Sequence, residues 1–354
     1  MNVESSVKER YSRGAKQREE SLCCPVDYDA GLLEMLPDEI ISRDYGCGDP
    51  SRYVKPGDTV LDLGSGGGKI CYMAAQLTGP EGQVIGVDMN DDMLALARKY
   101  QDEMAARLGH KRVSFVKGNI QDLALDLEAL EHYLDGHPVI DRQSYADLKS
   151  WEQQQRREQP LIADDSIDLV ISNCVLNLVS DHEKQQLVQE IFRVLKPGGR
   201  IAIADIISDR PIPVELKNDP EHWSGCLSGA FQETEFLQAF AAAGFQGVAY
   251  DKWDPEPWRE MNDIVFRSAT LTAVKALPES TDRDSTLIYR GPFAEVIDDS
   301  GQHFLRGERA MVSAAQHALL TGAAYRDAFI DTEPAHREAE NAGCAIQSGD
   351  ARCC

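Results

Sequence analysis

The sequence of 354 residues contains no apolar run near the ~20 residues that a membrane span requires. Its opening, MNVESSVKERYSRGAKQREE, is charged throughout and lacks the apolar h-region of a secretory signal. The expected location is therefore cytoplasmic, with no membrane partner. Basic charge is scarce: 36 Lys and Arg stand against 59 Asp and Glu, a net charge of −23. Such a balance disfavours nucleic acid and anionic membranes through long-range repulsion. It also disfavours highly anionic substrates unless a local basic pocket compensates. No C-x-x-C pair occurs, which argues against a zinc ribbon or a thioredoxin-type site. No internal repeat is visible. What the sequence does have is nine cysteines: Cys23, Cys24, Cys47, Cys71, Cys174, Cys226, Cys344, Cys353 and Cys354. A large chain without a signal is not a secreted disulfide scaffold. Taken singly, each cysteine reads as a small buried hydrophobe as readily as a working thiol.

Strand and helix patterns alternate. Thr59–Leu63, Val84–Asp88, Val113–Val116, Ile167–Ile171 and Arg200–Asp205 read as strands. Lys69–Leu77 opens as a helix after glycines. Asn90 or Asp91 caps another helix, with Met93, Leu96, Ala97, Tyr100 and Met104 on one side. His182–Leu195 is an amphipathic helix stopped by Lys196-Pro197-Gly198-Gly199. The alternation predicts an α/β doubly wound sheet. Residues 1–50 form an N-terminal helical lead-in, and residues 51–277 form the main domain. A polar helical insertion, 123–163, interrupts that domain at the ligand edge of the sheet, as a lid or as a plain surface addition. After a polar linker, 285–330 reads as a small β-rich C-terminal unit with a turn at Asp299-Ser300-Gly301. Residues 331–354 form a mobile tail ending in Cys353-Cys354.

"VLDLGSGGGK" follows the first strand. Glycines at a strand-to-helix turn let the backbone approach a ligand. A dinucleotide site would use similar physics, but here an acid, Asp62, precedes Gly64, Gly66, Gly67 and Gly68 as D-x-G-x-G-x-G. There it can meet the amino-acid portion of S-adenosylmethionine. A second acid, Asp88, ends the next strand, where it can accept from a ribose diol. Asn119 and Ile120 can hold the adenine edge, and "RVLKPGGRIAIAD" is similar to a late segment of many class I, Rossmann-like methyltransferases.

The cysteines make the resemblance narrower. "YGCGDP" with Cys47, "GGGKICYMA" with Cys71, "SNCVLNLV" with Cys174 and "DPEHWSGCLSGAF" with Cys226 resemble the arsenite S-adenosylmethionine methyltransferases, over about Val7 to Lys275. The segment "IYRGPFAEVIDDSGQHFLRGERAMV" resembles the extended members associated with arsenosugar pathways. It departs from them at "AMVSAA", where Ser313 stands in place of an expected cysteine.

The resemblance implies that Cys174 and Cys226 are the principal ligands of trivalent arsenic, within an arsenic-binding region at 206–240. Cys71 joins them as a ligand or supplies electrons, and Cys47 completes an exchangeable pair with Cys71. Asp62, Gly64, Gly66, Asp88, Met89, Asn119, Ile120, Asn173 and Tyr45 are implied cofactor contacts. The chemistry fits, since trivalent arsenic prefers soft thiolates. Its lone pair attacks a sulfonium methyl without any proton to remove, so no general base is expected and His182 and His222 carry no role. The implied partners are arsenite or methylated trivalent arsenicals and a thiol reductant, thioredoxin or glutathione, with no permanent metal. Two other readings stay open: a small-molecule O- or C-methyltransferase, and a thiol protein that sequesters metalloid without turnover.

Overall fold

The computed structural model describes residues 3–19, 22, 26–278, 285–325 and 327–332. The chain divides into two compact units after Pro278.

In the first unit, helix α1 (Val3–Lys16) is followed by short helices α2 (Ala30–Leu33) and α3 (Asp38–Ser42). Five strands then pair in parallel: β1 (Thr59–Leu63), β2 (Gln83–Asp88), β3 (Val113–Lys117), β4 (Ile167–Asn173) and β5 (Leu195–Ser208). A short β6 (Phe231–Gln232) pairs with the end of β5. Strands β7 (Gln246–Trp253), β8 (Arg259–Met261) and β9 (Ile264–Val274) add antiparallel pairs, and the main path runs β3-β2-β1-β4-β5-β9-β7. The strand order reverses between β1 and β4, which opens a crevice at their carboxyl ends.

Apolar runs make this sheet because both faces are covered. Along β1, Val60 packs into one layer and Leu61 and Leu63 into the other, all fully buried. One layer lies under α4 (Lys69–Thr78) and α5 (Asp91–Lys99), the other under α9 (Lys184–Val194) and α12 (Glu233–Ala242). The Asn90 side chain caps α5 by accepting from Asp92 and Met93, as its residue type predicts. Helix α9 stops at Val194, and β5 begins directly at Leu195 rather than beyond the Pro-Gly-Gly turn.

The inserted segment contains α7 (Leu127–Gly136) and α8 (Arg142–Glu158), with α6 (Gln101–Leu108) before it. Tyr133 stacks on Trp151 at 4.5 Å, and Arg156 clamps Asp122 at 2.9–3.0 Å, so the pair lies fastened to the edge near β3. Short helices α10 (Val214–Lys217) and α11 (Pro220–Ser224) lead into the Cys226 turn.

The second unit has its own core of Leu287, Tyr289, Phe304, Val312, Leu320 and Phe329. The turn expected at Asp299-Ser300-Gly301 lies in a hairpin: β11 (Glu295–Ile297) pairs with β12 (His303–Leu305). The outer sheet is less local, because β10 (Ser285–Tyr289) lies between β13 (Arg309–Val312) and β14 (Phe329–Asp331). Ser313, the residue found in place of an expected cysteine, caps α13 (Ala314–Leu320) in a capping box with Gln316. Cys23, Cys24 and the tail cysteines Cys344, Cys353 and Cys354 lie outside the described residues. No helix among the described residues is long and apolar enough to cross a membrane.

Candidate active site

A cavity opens at the β1–β4 crevice. The first turn shapes one side. Gly64 and Gly66 hold φ of 68° and 51°, the left-handed region open to glycine. A side chain at Gly64 would begin 2.4 Å from Val175, because the exits of β1 and β4 touch there. Asp88 fixes the turn by accepting from the Gly66 amide and the Asn90 amide, each at 2.8 Å. Burial raises its pKa, and those two amides oppose the rise. Met89 and Ile120 supply apolar wall.

Asp62 is almost fully buried in the same wall. Burial pushes its carboxyl up to about 7, against a hydrogen bond that Cys71 donates at 3.2 Å. The Cys71 thiol is itself pushed up by burial and then by the charge of Asp62. A buried carboxylate beside glycine backbone is a fit for a ligand's ammonium group, which restores the ionised form that burial opposes.

At the far side, Cys174 and Cys226 both hold positive φ, 61° and 62°. For a residue with a Cβ this conformation costs roughly 1–2 kcal/mol, and such strain clusters at working sites. The Cys226 thiol donates to the Cys174 carbonyl at 3.3 Å. Asn177 holds the same turn, its amide donating to the carbonyls of Ile206 at 2.6 Å and Cys226 at 3.3 Å. The sulfurs of Cys47 and Cys174 form a disulfide. An oxygen of Asp205 lies within 4.8 Å of both sulfurs. Burial pushes the Asp205 carboxyl up to about 7, although the Ile206 and Asn177 amides donate to it.

Several sequence expectations change. Cys47 is bonded to Cys174, so the expected Cys47–Cys71 pair is not formed; Cys71, in α4, answers to Asp62 instead. Asn173 reaches the cavity, but its carboxamide is committed to the Cys47 loop. Its oxygen accepts from the amides of Cys47 and Gly48 at 2.9 and 3.0 Å, and its nitrogen donates to the Gly48 carbonyl at 2.7 Å. Tyr45 also reaches the cavity, yet its hydroxyl donates to the Gly14 carbonyl at 3.0 Å and so anchors α1. Asn119 bridges to Asp122 and is not in the wall, where Gly118, Ile120 and Gln121 stand. No residue of α7 or α8 lines the cavity, so the lid reading of the insertion has no support in the wall; Glu4, Val7, Lys8 and Tyr11 of α1 line it instead.

Sequence reasoning missed α1, Asn177 and Asp205. The signal for Asp205 was present as an acid inside the apolar run "RIAIADII". For α1 the helical pattern was visible, but nothing local in it points to residues more than two hundred positions away.

Comparison with known proteins places these features in context. A family model described as a methyltransferase domain matches residues 54–135 and 142–244. A second, described as a domain of unknown function (DUF8838), matches residues 278–353. The chain is 34% identical over 269 residues to an arsenite methyltransferase of Aquipseudomonas alcaligenes, covering 73% of this chain and 67% of that protein. It is 36% identical over 274 residues to an arsenite methyltransferase of Halobacterium salinarum, covering 72% of this chain and 58% of that one. A crystal structure of an arsenic(III) S-adenosylmethionine methyltransferase from Chlamydomonas reinhardtii matches with a TM-score of 0.59 at 26% identity, over 87% of this chain and 96% of that chain.

Proposed function

The chain belongs to the arsenite methyltransferase family, and from that premise we propose that it methylates trivalent arsenic held by the thiolates of Cys174 and Cys226. The observation that carries this reading is the meeting of those two residues, both in strained conformations, beside the crevice that Asp62, Gly64, Gly66 and Asp88 line.

S-adenosylmethionine, when bound, supplies an electrophilic methyl group on a sulfonium. Asp62 would hold its ammonium, and Asp88 keeps acceptor capacity for a ribose hydroxyl beyond the Gly66, Asn90 and Met89 amides it accepts. Met89 and Ile120 offer apolar contact to the adenine. The protein's own work is then capture and alignment. Each thiol that replaces an oxygen on arsenite releases water, the thiol proton leaving with the hydroxide. The arsenic keeps its lone pair, which is the nucleophile, so no side chain has to take a proton. Positioning the two reactants supplies several kcal/mol of the barrier.

Cys174 cannot bind arsenic while it is bonded to Cys47. The disulfide is the oxidised state of the site, and two electrons from a dithiol such as thioredoxin, or from two glutathiones, open it to two thiols. Methylation formally oxidises arsenic to As(V). The Cys47 thiolate would then attack the arsenic-bound Cys174 sulfur; the S–As bond breaks with its electron pair left on arsenic, which returns to As(III), and the pair becomes the disulfide again. Cys71 serves the cofactor wall through Asp62 in this scheme.

The direct test incubates purified protein with arsenite, S-adenosylmethionine and a thiol, then separates the arsenic species. Methylated arsenicals are expected. Unchanged arsenite beside normal cofactor binding would defeat the reading, and would favour an O- or C-methyltransferase.

A further inference from the structure

The turn that carries Cys226 and the loop that carries Cys47 are tied together by the N-terminal segment. Cys226 lies two residues beyond α11, and Arg10 of α1 holds that helix. The Arg10 guanidinium donates to the Glu221 carbonyl at 2.9 Å and to Ser224 Oγ at 3.1 Å. It also packs on the turn itself, since a side chain begun at Gly225 would meet it at 3.3 Å. On its other edge the guanidinium pairs with Glu19 at 2.8 Å. The Glu19 amide donates to the Tyr45 hydroxyl at 3.0 Å, and Tyr45 stands two residues before Cys47. Arg10 and Ser224 are both buried, so these contacts lie largely out of water.

The same helix meets the cofactor side. The Asn90 carboxamide donates to the Lys8 carbonyl at 3.0 Å and to Ser12 Oγ at 3.2 Å, two residues beyond Asp88. Glu4, Val7, Lys8 and Tyr11 line the cavity.

We propose that Arg10 is a positioning residue that sets the Cys226 turn for arsenic and, through α1, couples arsenic capture to cofactor binding. This inference rests on the arsenic reading above. Cys174 follows the end of β4, where its amide donates to the Ala204 carbonyl of β5 at 2.8 Å, so it is seated on the sheet. Cys226 follows a five-residue helix, and its place depends on where that helix is held. Two sulfurs close on one arsenic atom only when the turn stands in register with the sheet. Holding it there beforehand removes an ordering cost from capture.

The coupling follows from the helix. A 14-residue helix is marginal alone, so α1 depends on what it docks against. A ligand in the cavity meets the α1 wall only while α1 is docked, and Arg10 reaches α11 only in that same state. Two ligands that favour one conformation strengthen each other's binding by an equal factor.

The test uses the full chain, reduced with a phosphine that does not compete as a thiol. Arsenite is titrated against tryptophan emission, to which buried Trp223 of α11 contributes, with and without S-adenosylhomocysteine. Arg10→Met keeps an unbranched stem and removes every donor. In the wild type, S-adenosylhomocysteine should tighten arsenite roughly fivefold or more, and in Arg10→Met that linkage should fall to near unity. Affinity of Arg10→Met for S-adenosylhomocysteine alone should stay within about threefold, because the Asn90 contacts remain. Hydrogen exchange reads the coupling without arsenite. S-adenosylhomocysteine should slow exchange at residues 220–228 at least about fivefold in the wild type and leave it unchanged in Arg10→Met, a difference that lost packing alone would not produce. If Arg10→Met does not fold, Ser224→Ala takes its place; it removes one acceptor of the guanidinium and should lower both effects below the wild-type values. Wild-type linkage and wild-type exchange in the variant would overturn the inference alone. A wild-type protein that binds S-adenosylhomocysteine but captures no arsenite would overturn the arsenic reading, and the inference with it.

Discussion

The Cys71 thiol, behind the cavity wall, donates to the Asp62 carboxylate at 3.2 Å, and both side chains are almost fully buried. This contact separates the four family-like cysteines by task. Cys71 follows the glycine turn and faces the acid proposed to hold the cofactor's ammonium group. Cys47, Cys174 and Cys226 share a single apolar cluster with Ile206, Leu227 and Phe266.

Cofactor affinity reads this division. Cys71→Ser keeps a donor for Asp62, so its affinity for S-adenosylmethionine should stay within a few-fold of wild type. Cys71→Ala removes the donor and pushes Asp62 further toward its protonated form. A hydrogen bond to a charged group is worth about 1.5–3 kcal/mol, so the alanine variant should bind the cofactor at least about tenfold more weakly. Calorimetric titration of both variants checks this. Equal affinity for wild type and Cys71→Ala would show that the thiol does not support Asp62 in cofactor binding.

Serine at the other thiols should divide the reaction differently. Oxygen is a harder, poorer arsenic ligand than sulfur. Cys174→Ser and Cys226→Ser should abolish arsenite methylation and leave cofactor binding nearly intact. Cys47→Ser leaves Cys174 without its disulfide partner. It removes the electron donor of the proposed cycle, so repeated turnover should fail on arsenite and on monomethylated trivalent arsenic alike unless an external dithiol reduces the As(V) product. Product analysis on the two substrates decides; normal arsenite turnover in Cys174→Ser or Cys226→Ser ends the ligand assignment.

How much of this was legible beforehand depends on the range of the interaction. The strands at Thr59 and Ile167 are legible because a strand buried on both faces reads as a near-continuous apolar run. The Asn90 cap is legible because capping is local. The pairing of Cys47 with Cys174 is not, since the residues lie 127 positions apart and spacing carries no record of which loops meet. Asn173 shows the same limit: its position at a strand end suggests a ligand contact and it does reach the cavity, but spacing gives no sign that its carboxamide also holds the Cys47 loop. The left-handed conformations of Cys174 and Cys226 have no local signature, because tertiary packing imposes them on residues that would otherwise avoid them.

Asn173→Ala tests that loop directly. The substitution strands the Cys47 and Gly48 amides and the Gly48 carbonyl in a buried place. Each orphaned group costs about 1–3 kcal/mol. Stability should fall by roughly 3 kcal/mol or more, read as a lower midpoint in denaturant at unchanged slope. The Cys47–Cys174 disulfide should also reduce faster, because the loop that presents Cys47 is no longer held. An unchanged midpoint and an unchanged reduction rate would show that the loop is fixed by other contacts.

The Asp62 carboxyl gives the site a pH dependence whose sign is fixed. Burial raises its folded value to about 7, against about 3.9 in an unfolded chain. Between those values the folded state binds more protons than the unfolded one. The stability of the cofactor-free protein is therefore greatest below about pH 4 with respect to this group, and declines as the pH rises through about 7. Asp205, also raised to about 7 by burial, acts in the same sense. Cofactor binding runs the other way. The ammonium of S-adenosylmethionine needs the ionised carboxylate, so affinity should rise with pH through about 7, by up to about tenfold per unit below it, and binding should release a proton there. Calorimetry in two buffers of different ionisation enthalpy measures that release. It should be near one proton at about pH 6 and near zero at about pH 8. Asp62→Asn should bind the cofactor weakly at both values, release no proton at either, and be more stable than wild type at the higher one while the Asp205 contribution persists. Proton release unchanged in Asp62→Asn would place the titrating group elsewhere in the cavity.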